Sequence, residues 1–415
     1  MARGTGVATY ARVLAASLRG LGHTVDGVFG VPMSPNASDL MREVAFFDNF
    51  ESVRARPAAL SRRWWREWAR APFGLTAMRI PITGKVEARG FRSRLPTFDT
   101  ILNVPELFSI ASRYFRRTGR FLSIRVPETP AIMHWTYPLP IRLEGARNIY
   151  TVHDMVPLRL PYATLDDKGY HIRLMRGCLR NAARICTVSE ASQADILALF
   201  PQAAGRVVNT YQSVVPAQGT LDLTEEELQR WLAGVFRLKF GGYFLYFGAL
   251  EPKKNIGRLL EAYLFSFCRI PLVLVGGRAW KSEREAEIIA ANRSIRQLDY
   301  VPFGQLTRLI RGAKAVIFPS LSEGFGLPVI EAMALGTPVL TSREGSLPEI
   351  AGEAALLVDA YDTDDIAEGM RRLDSDAELR ARLSARGVAQ ARRFDSASYQ
   401  RRLSAFYDDV LREPV

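Results

Sequence analysis

Cysteine is scarce: three residues in 415, at positions 178, 186 and 268. They stand far apart and without metal-ligand spacing, which argues against a disulfide scaffold or a zinc site. Reduced core thiols in a cytoplasmic chain are the expectation. No apolar run reaches about 18 uncharged residues, so no membrane-spanning helix is predicted. The N-terminus enters an amphipathic helix rather than a short apolar stretch, so no signal peptide is expected. Negative charge is also short. Lys and Arg number 55 against 43 Asp and Glu, a formal net charge of +12. The imbalance is local: Glu51 to Arg125 holds 16 basic and 5 acidic residues. No nucleic-acid motif accompanies it, so nucleic acid is not an expected partner. An anionic membrane surface and an ordinary solvated face both remain. From Pro32 to about Leu122 the chain further lacks regular apolar alternation.

What is present is ample for two domains: 415 residues, 48% of them hydrophobic. The most informative stretch runs from Phe318 to Leu340. An apolar run, Ala315 to Phe318, predicts a buried strand. A turn of small residues follows, Ser320 to Gly326. Then Leu327, Ile330, Met333 and Ala334 recur at helical spacing, with Pro328 in the first turn. Gly324-Phe325-Gly326 therefore sits where a strand hands over to a helix N-terminus. Main-chain N–H groups and the positive end of the helix dipole suit an anion there. Glu323 and Glu331 flank the loop. Carboxylates beside an anion site suit the hydroxyls of a sugar or ribose attached to a phosphate.

This segment resembles the E-x7-E segment of family 4 retaining glycosyltransferases, with Glu323 and Glu331 as its two acids. A second loop agrees. Gly248-Ala249-Leu250-Glu251-Pro252-Lys253-Lys254-Asn255 is similar to that family's G-x-L-x-P-x-K-N segment. There Lys254 is implied to grip the donor diphosphate. Ala249 stands where many relatives carry arginine, so Lys253 is a candidate for the missing contact. The variant looks like the branch of bacterial mannosyl- and rhamnosyltransferases. Thr-Val-His153-Asp154-x-x-Pro is similar to the context in which the family's histidine touches the transferred sugar. Gly4-Thr5-Gly6, opening the first helix, resembles the family's loop facing the diphosphate. The end of a strand at Tyr300-Val301-Pro302 matches where the family's main chain reads the base. The implied donor-binding set is thus Gly4, Thr5, Gly6, Gly248, Lys253, Val301, Gly324, Phe325, Gly326, Leu327 and Glu331, with Glu323, Lys254 and His153 catalytic. Tyr10 and Tyr137 are candidates on the acceptor side.

The implied architecture is α/β of the GT-B type: two doubly wound Rossmann-like domains facing a cleft. Residues 1–213 form the acceptor-side domain and 214–395 the nucleotide-sugar domain. Residues 396–415 form a helix crossing back to the first domain, and Val214 to Gly219 is the expected linker. The family's opening strand is missing before Gly4. Either the start lies late or the first sheet lacks a central strand. The late start is the favoured reading, and the chain as written is expected to be poorly stable. Shorter expectations include helices over 282–297 and Leu60 to Ala71, a strand over 299–301, and caps at Ser189 and Thr224. The one D-x-D, Asp362-Thr363-Asp364, precedes a late helix and suits an N-cap.

The Leu60–Ala71 segment, LSRRWWREWARA, places tryptophans on one face. Trp64, Trp65 and Trp68 with Arg62, Arg63 and Arg66 would suit a helix lying on an anionic membrane. Equally, the tryptophans would suit packing on their own domain. The predicted function is transfer of a hexose, best mannose, from a nucleoside-diphosphate sugar to a glycan or lipid-linked acceptor of a cell-surface polysaccharide. GDP-mannose is the favoured donor, a UDP-sugar the second. No metal or other cofactor is expected, because lysine supplies the positive charge. The location implied is cytoplasmic, on the inner face of the plasma membrane. The alternatives are an inactive nucleotide-sugar-binding or membrane-scaffold protein of this fold, and a hydrolase or epimerase.

Overall fold

Six strands of the second half are short runs of mostly apolar residues, the mark of a parallel sheet covered on both faces. They are β11 to β16 in chain order, ten strands lying before them. The computed structural model describes residues 6–34, 36–51, 62–87, 95–214, 218–277 and 283–412. In the first half these are β1 (Asp26–Phe29), β2 (Leu75–Thr76), β3 (Met78–Ile80), β4 (Thr100–Asn103), β5 (Leu122–Arg125), β6 (Ile132–Trp135), β7 (Ile141–Leu143), β8 (Arg147–Val152), β9 (Arg184–Thr187) and β10 (Val207–Asn209). In the second they are β11 (Phe244–Phe247), β12 (Leu272–Val275), β13 (Ile295–Leu298), β14 (Ala315–Phe318), β15 (Val339–Ser342) and β16 (Leu356–Val358).

The second-half sheet is parallel throughout, in the order β13-β12-β11-β14-β15-β16. Chain order reverses between β11 and β14. A crevice opens beyond the carboxyl ends of strands at such a switch point, and ligands of open α/β sheets bind there. The loops leaving β11 and β14 are the lysine loop and the glycine loop of the sequence. Glycine is required beside this point. Gly276 has φ +154°, and a Cβ on it would lie 1.9 Å from the Gly248 carbonyl oxygen. The turns leaving β11 and β12 thus meet main chain to main chain.

The first half is divided among three sheets: β3-β4-β1, the parallel β6-β8-β9-β10, and the parallel β2-β5-β7. No ladder joins β1 to β6 among the described residues. Gly4, Thr5 and any strand before them lie outside those residues. The helix Gly6–Gly20 turns Tyr10, Leu14 and Leu18 inward, and the C-terminal helix Ser396–Arg412 packs along it through Tyr399, Leu403 and Tyr407. Both join one core that runs on through β11, β12 and β14.

Three predicted caps form. The Thr224 and Glu227 capping box is complete, Ser189 accepts from Ser192 N–H, and Asp362 accepts from the N–H groups of Asp364 and Asp365. The helix expected over 282–297 is too long, and the strand at 299–301 is displaced. The helix occupies Glu283–Ala291, and β13 follows at Ile295–Leu298, paired with β12. Asn292 closes the helix by donating from Nδ2 to the Ile288 carbonyl, and Ile295 is buried in the sheet. Of the proposed linker, 215–217 lie outside the described residues. Val214 is buried and donates its N–H to Phe394, and Gln218–Leu221 is a short helix.

The tryptophan helix, Arg62–Arg70, corrects the membrane expectation for two of its residues. Trp64 is only 2% exposed, stacks on Trp68 at 5.4 Å, and lies under the Arg113 guanidinium at 4.7 Å. The indole faces inward because the neighbouring helix Leu107–Thr118 offers an apolar stripe and the Ser109 hydroxyl as acceptor. Buried Glu67 pairs with Arg66 and Arg70. Trp65 alone of the three is exposed. The side chains of Arg62 and Arg63 lie outside the described residues. No described helix is long and apolar enough to cross a membrane.

Candidate active site

The β11 and β14 loops are tied together. Asn255, in the left-handed conformation at φ +62°, donates from Nδ2 to the carbonyls of Pro319 and Ala360 at 3.0 and 2.6 Å. Leu321 donates its N–H to the Lys253 carbonyl. With the loops so fixed, Lys254 Nζ lies 2.6 Å from Glu323 Oε1 and over the Phe318 ring. Both partners are nearly buried, at 12% and 9% side-chain exposure.

The glycine loop opens the helix Leu327–Ala334 through Gly326 at φ +99°. The N–H groups of Gly324, Phe325, Gly326 and Leu327 find no acceptor among the described residues. Four consecutive N–H groups without a protein acceptor at a helix start are of the kind that suits an anion. The Phe325 ring is turned away into the core, against Phe394 and Tyr211, so that residue offers only its main chain. Gly6 meets the loop from the first half: a Cβ on it would lie 3.8 Å from Leu327 Cδ1.

His153 follows the carboxyl end of β8 and faces this loop. A Cβ on Gly324 would lie 2.2 Å from the His153 carbonyl oxygen, so the halves meet through main chain. Ser192 donates to that same carbonyl at 2.8 Å. His153 Nε2 is 2.8 Å from the Thr136 carbonyl, which can only accept, so Nε2 carries the proton. Burial pushes the imidazole below the usual histidine range, against the Thr136 carbonyl and Asp154, which favour its charge. A neutral ring with Nε2–H leaves Nδ1 as an acceptor. The ring of Tyr10 stands edge-on to it at 4.8 Å.

Two further charges set the field. Burial works against the charge of Lys253, but Asp154, Glu323, Glu251 and Asp166 outweigh it and raise its ammonium above the usual lysine range. Glu331 has no donor among the described residues, and burial pushes its carboxyl up to about 7. Across the interface, the Glu349 carboxylate accepts from the N–H groups of Glu190 and Ala191 at 2.8 and 3.0 Å. It therefore caps the helix Glu190–Leu199 of the opposite domain.

The structure thus brings together Gly6, Lys253, Lys254, Glu323, the Gly324–Leu327 loop and His153, and sets Gly248 at the exit of β11. Val301 is nearly buried beyond β13, with Tyr300 exposed beside it. Tyr137 is partly exposed just past β6. Tyr10 departs from the acceptor-side expectation: it is 1% exposed, with its hydroxyl bonded to Thr151. It falls in the apolar stripe of its helix and so points inward. Ser192, Asn255 and Glu349 were not singled out as site residues. Asn255 ends the lysine segment, and Glu349 lies in a stretch whose pattern indicates only sheet. Ser192, three residues after a predicted N-cap, carried no signal for a contact between domains. Among the described residues no group of three or more His, Cys, Asp or Glu is placed to hold a metal.

Residues 239–390 match the family model of group 1 glycosyl transferases. The chain is 36% identical over 264 residues to the O-antigen chain mannosyltransferase B of Escherichia coli, covering 62% of this chain and 68% of that protein. Sucrose-phosphate synthase from Thermosynechococcus elongatus superposes with a TM-score of 0.64 at 17% identity, over 98% of this chain and 94% of that one. Anabaena HepE, solved with UDP and glucose, gives 0.59 at 14% identity, over 93% and 100%. These two likenesses show the fold, a GT-B arrangement of two doubly wound domains.

Proposed function

The chain belongs to the group 1 glycosyltransferases, and from that premise we propose that it moves mannose from GDP-mannose to a glycan or lipid-linked acceptor of a surface polysaccharide, with retention of configuration. The observation that carries this reading is the meeting of Lys254, Glu323, four free amides and His153 at the switch point. Mannose rests on the similarity to the E. coli mannosyltransferase. HepE, solved with UDP, supports a nucleotide-linked donor and keeps a UDP-sugar as the second candidate.

The bond that breaks joins the anomeric carbon to a β-phosphate oxygen. Charge develops on that oxygen, so fixed donors aimed at it lower the barrier. Lys254 has three N–H groups; Glu323 takes one, which leaves two for the phosphate. The glycine-loop amides supply the rest, and Lys253 adds charge beside them. The second oxygen of Glu323 accepts from a sugar hydroxyl, Nδ1 of His153 from another, and Glu331 from the ribose. The acceptor hydroxyl attacks on the face the phosphate leaves and passes its proton to the departing oxygen. In this reading the charge is met by lysine and main chain, with no metal in the chemistry. The acceptor approaches from the first half, and the protein works on the cytoplasmic face of the membrane.

The test is transfer from GDP-mannose and UDP-glucose to fluorescent oligomannoside acceptors, with donor binding read by thermal shift. Lys254→Ala and Glu323→Ala should each lower turnover about 100-fold or more while the fold is kept. Undiminished transfer in either variant removes that residue from the mechanism. Donor binding without transfer in the unmodified protein would favour the inactive alternative.

A further inference from the structure

Behind the site, a file of polar groups crosses the interior, with Cys186 and the Tyr399 hydroxyl beside it. Tyr407, on the C-terminal helix, has its hydroxyl 2.7 Å from His134 Nδ1. His134 Nε2 is 2.7 Å from Thr151 Oγ1, and that oxygen is 2.9 Å from the Tyr10 hydroxyl. Tyr10 ends the file by standing edge-on to His153, with the ring planes at 89°. Thr151 is fully buried, and Tyr10 and Tyr407 nearly so. Four separate elements supply these groups: the two packed helices, β6 and β8. Buried polar groups are costly unless every one is paired, and a paired set admits few arrangements. Burial holds His134 neutral, near 3, so one ring nitrogen donates and the other accepts. The hydroxyls of Tyr407 and Thr151 can each serve in either sense, and the one proton the file cannot absorb, on the Tyr10 hydroxyl when Tyr407 donates, meets Cys186 Sγ at 3.8 Å.

We infer that Tyr407, His134 and Tyr10 are positioning residues for His153, so that the last helix of the chain sets the orientation of an imidazole in the opposite part of the site. This rests on the reading of His153 given above. Nε2 of His153 is fixed by Thr136, but one hydrogen bond leaves the ring free to tilt about it. The Tyr10 edge removes that freedom, and Tyr10 is in turn held by its hydroxyl.

The chain has only four histidines, so the imidazole signals of 15N-histidine-labelled protein are few enough to assign. Tyr407→Phe keeps the ring and removes the hydroxyl. It should move the His153 signals as well as those of His134. With GDP-mannose and an oligomannoside acceptor it should lower kcat about 5- to 10-fold, leaving the donor KM within about twofold. Tyr10→Leu should cost more, about 50-fold, and Tyr10→Phe less than Tyr10→Leu. Val410→Ala, in the same helix but outside the file, should lower Tm comparably while leaving the His153 signals and kcat in place. A Tyr407→Phe spectrum in which only His134 moves would overturn the inference, as would equal kcat losses in Tyr407→Phe and Val410→Ala. His153→Gln separates the two levels. If it abolishes turnover while Tyr407→Phe is silent, the inference fails alone. If it leaves turnover intact, the reading of the site fails with it.

Discussion

The two halves of this chain solve the same architectural problem in different ways. The second half is one parallel sheet of six strands, with β11, β12, β14 and β16 written wholly in apolar residues. Its glycine turns meet so closely that substitution is sterically barred. The first half is three small sheets, with the tryptophan helix packed on the helix Leu107–Thr118. In the proposed reading, holding a pyrophosphate demands fixed amides and fixed cations, and that demand writes itself into recurring loops. An acceptor side, if the first half supplies it, can be built from many surfaces, which would account for the lack of a comparable signature in residues 32–122.

Four substitutions would break or sharpen this comparison. Gly276→Ala should do most harm, since its Cβ would strike the Gly248 carbonyl. A loss of about 4 kcal/mol or more is expected, with donor-induced stabilisation abolished in thermal-shift assays. Trp64→Ala should cost about 3–5 kcal/mol, confined to the first half. Calorimetry should show one transition lowered while donor still stabilises the other. A single transition, lowered as a whole, would mean the halves unfold as one body.

Glu331 comes third. Its carboxyl, raised to about 7 by burial, ionises in the unfolded chain at much lower pH. Stability therefore falls as pH climbs from the ordinary glutamate range to about 7, and the loss is complete above that. Glu331→Gln should remove the loss and raise Tm at pH 8 but not at pH 5. If the ionised carboxylate accepts from the ribose, donor affinity should drop about tenfold from pH 8 to pH 6, and the variant should bind weakly and without that pH dependence. Smallest is Trp65→Ala, on the exposed side of the first-half helix. Its stability change should stay within about 0.5 kcal/mol. Retention on anionic liposomes, compared before and after that change, tests whether the indole meets a membrane.

Legibility in the sequence follows the same division. The strand–loop–helix around Glu323 was plain because its apolar run, glycines and helical spacing agree locally. The Ser189, Thr224 and Asp362 caps were readable for the same reason. Trp64 was ambiguous because a Trp-Arg helix suits lipid and protein alike; only the facing helix, more than 40 residues away, decides. Tyr10 was misplaced because a stripe shows which residues share a face, not what covers it. The Tyr407–His134 pairing spans 273 residues, and no local pattern encodes such a distance.

Glu349 gives the helix Glu190–Leu199 a second cap from outside its domain, beside that of Ser189. Whenever the halves part, the amides of Glu190 and Ala191 lose this acceptor and are opened to water. Deuterium uptake at those two positions is thus a built-in gauge of how often the cleft opens. A bound donor that holds the halves together should slow that uptake, with no label attached to either domain.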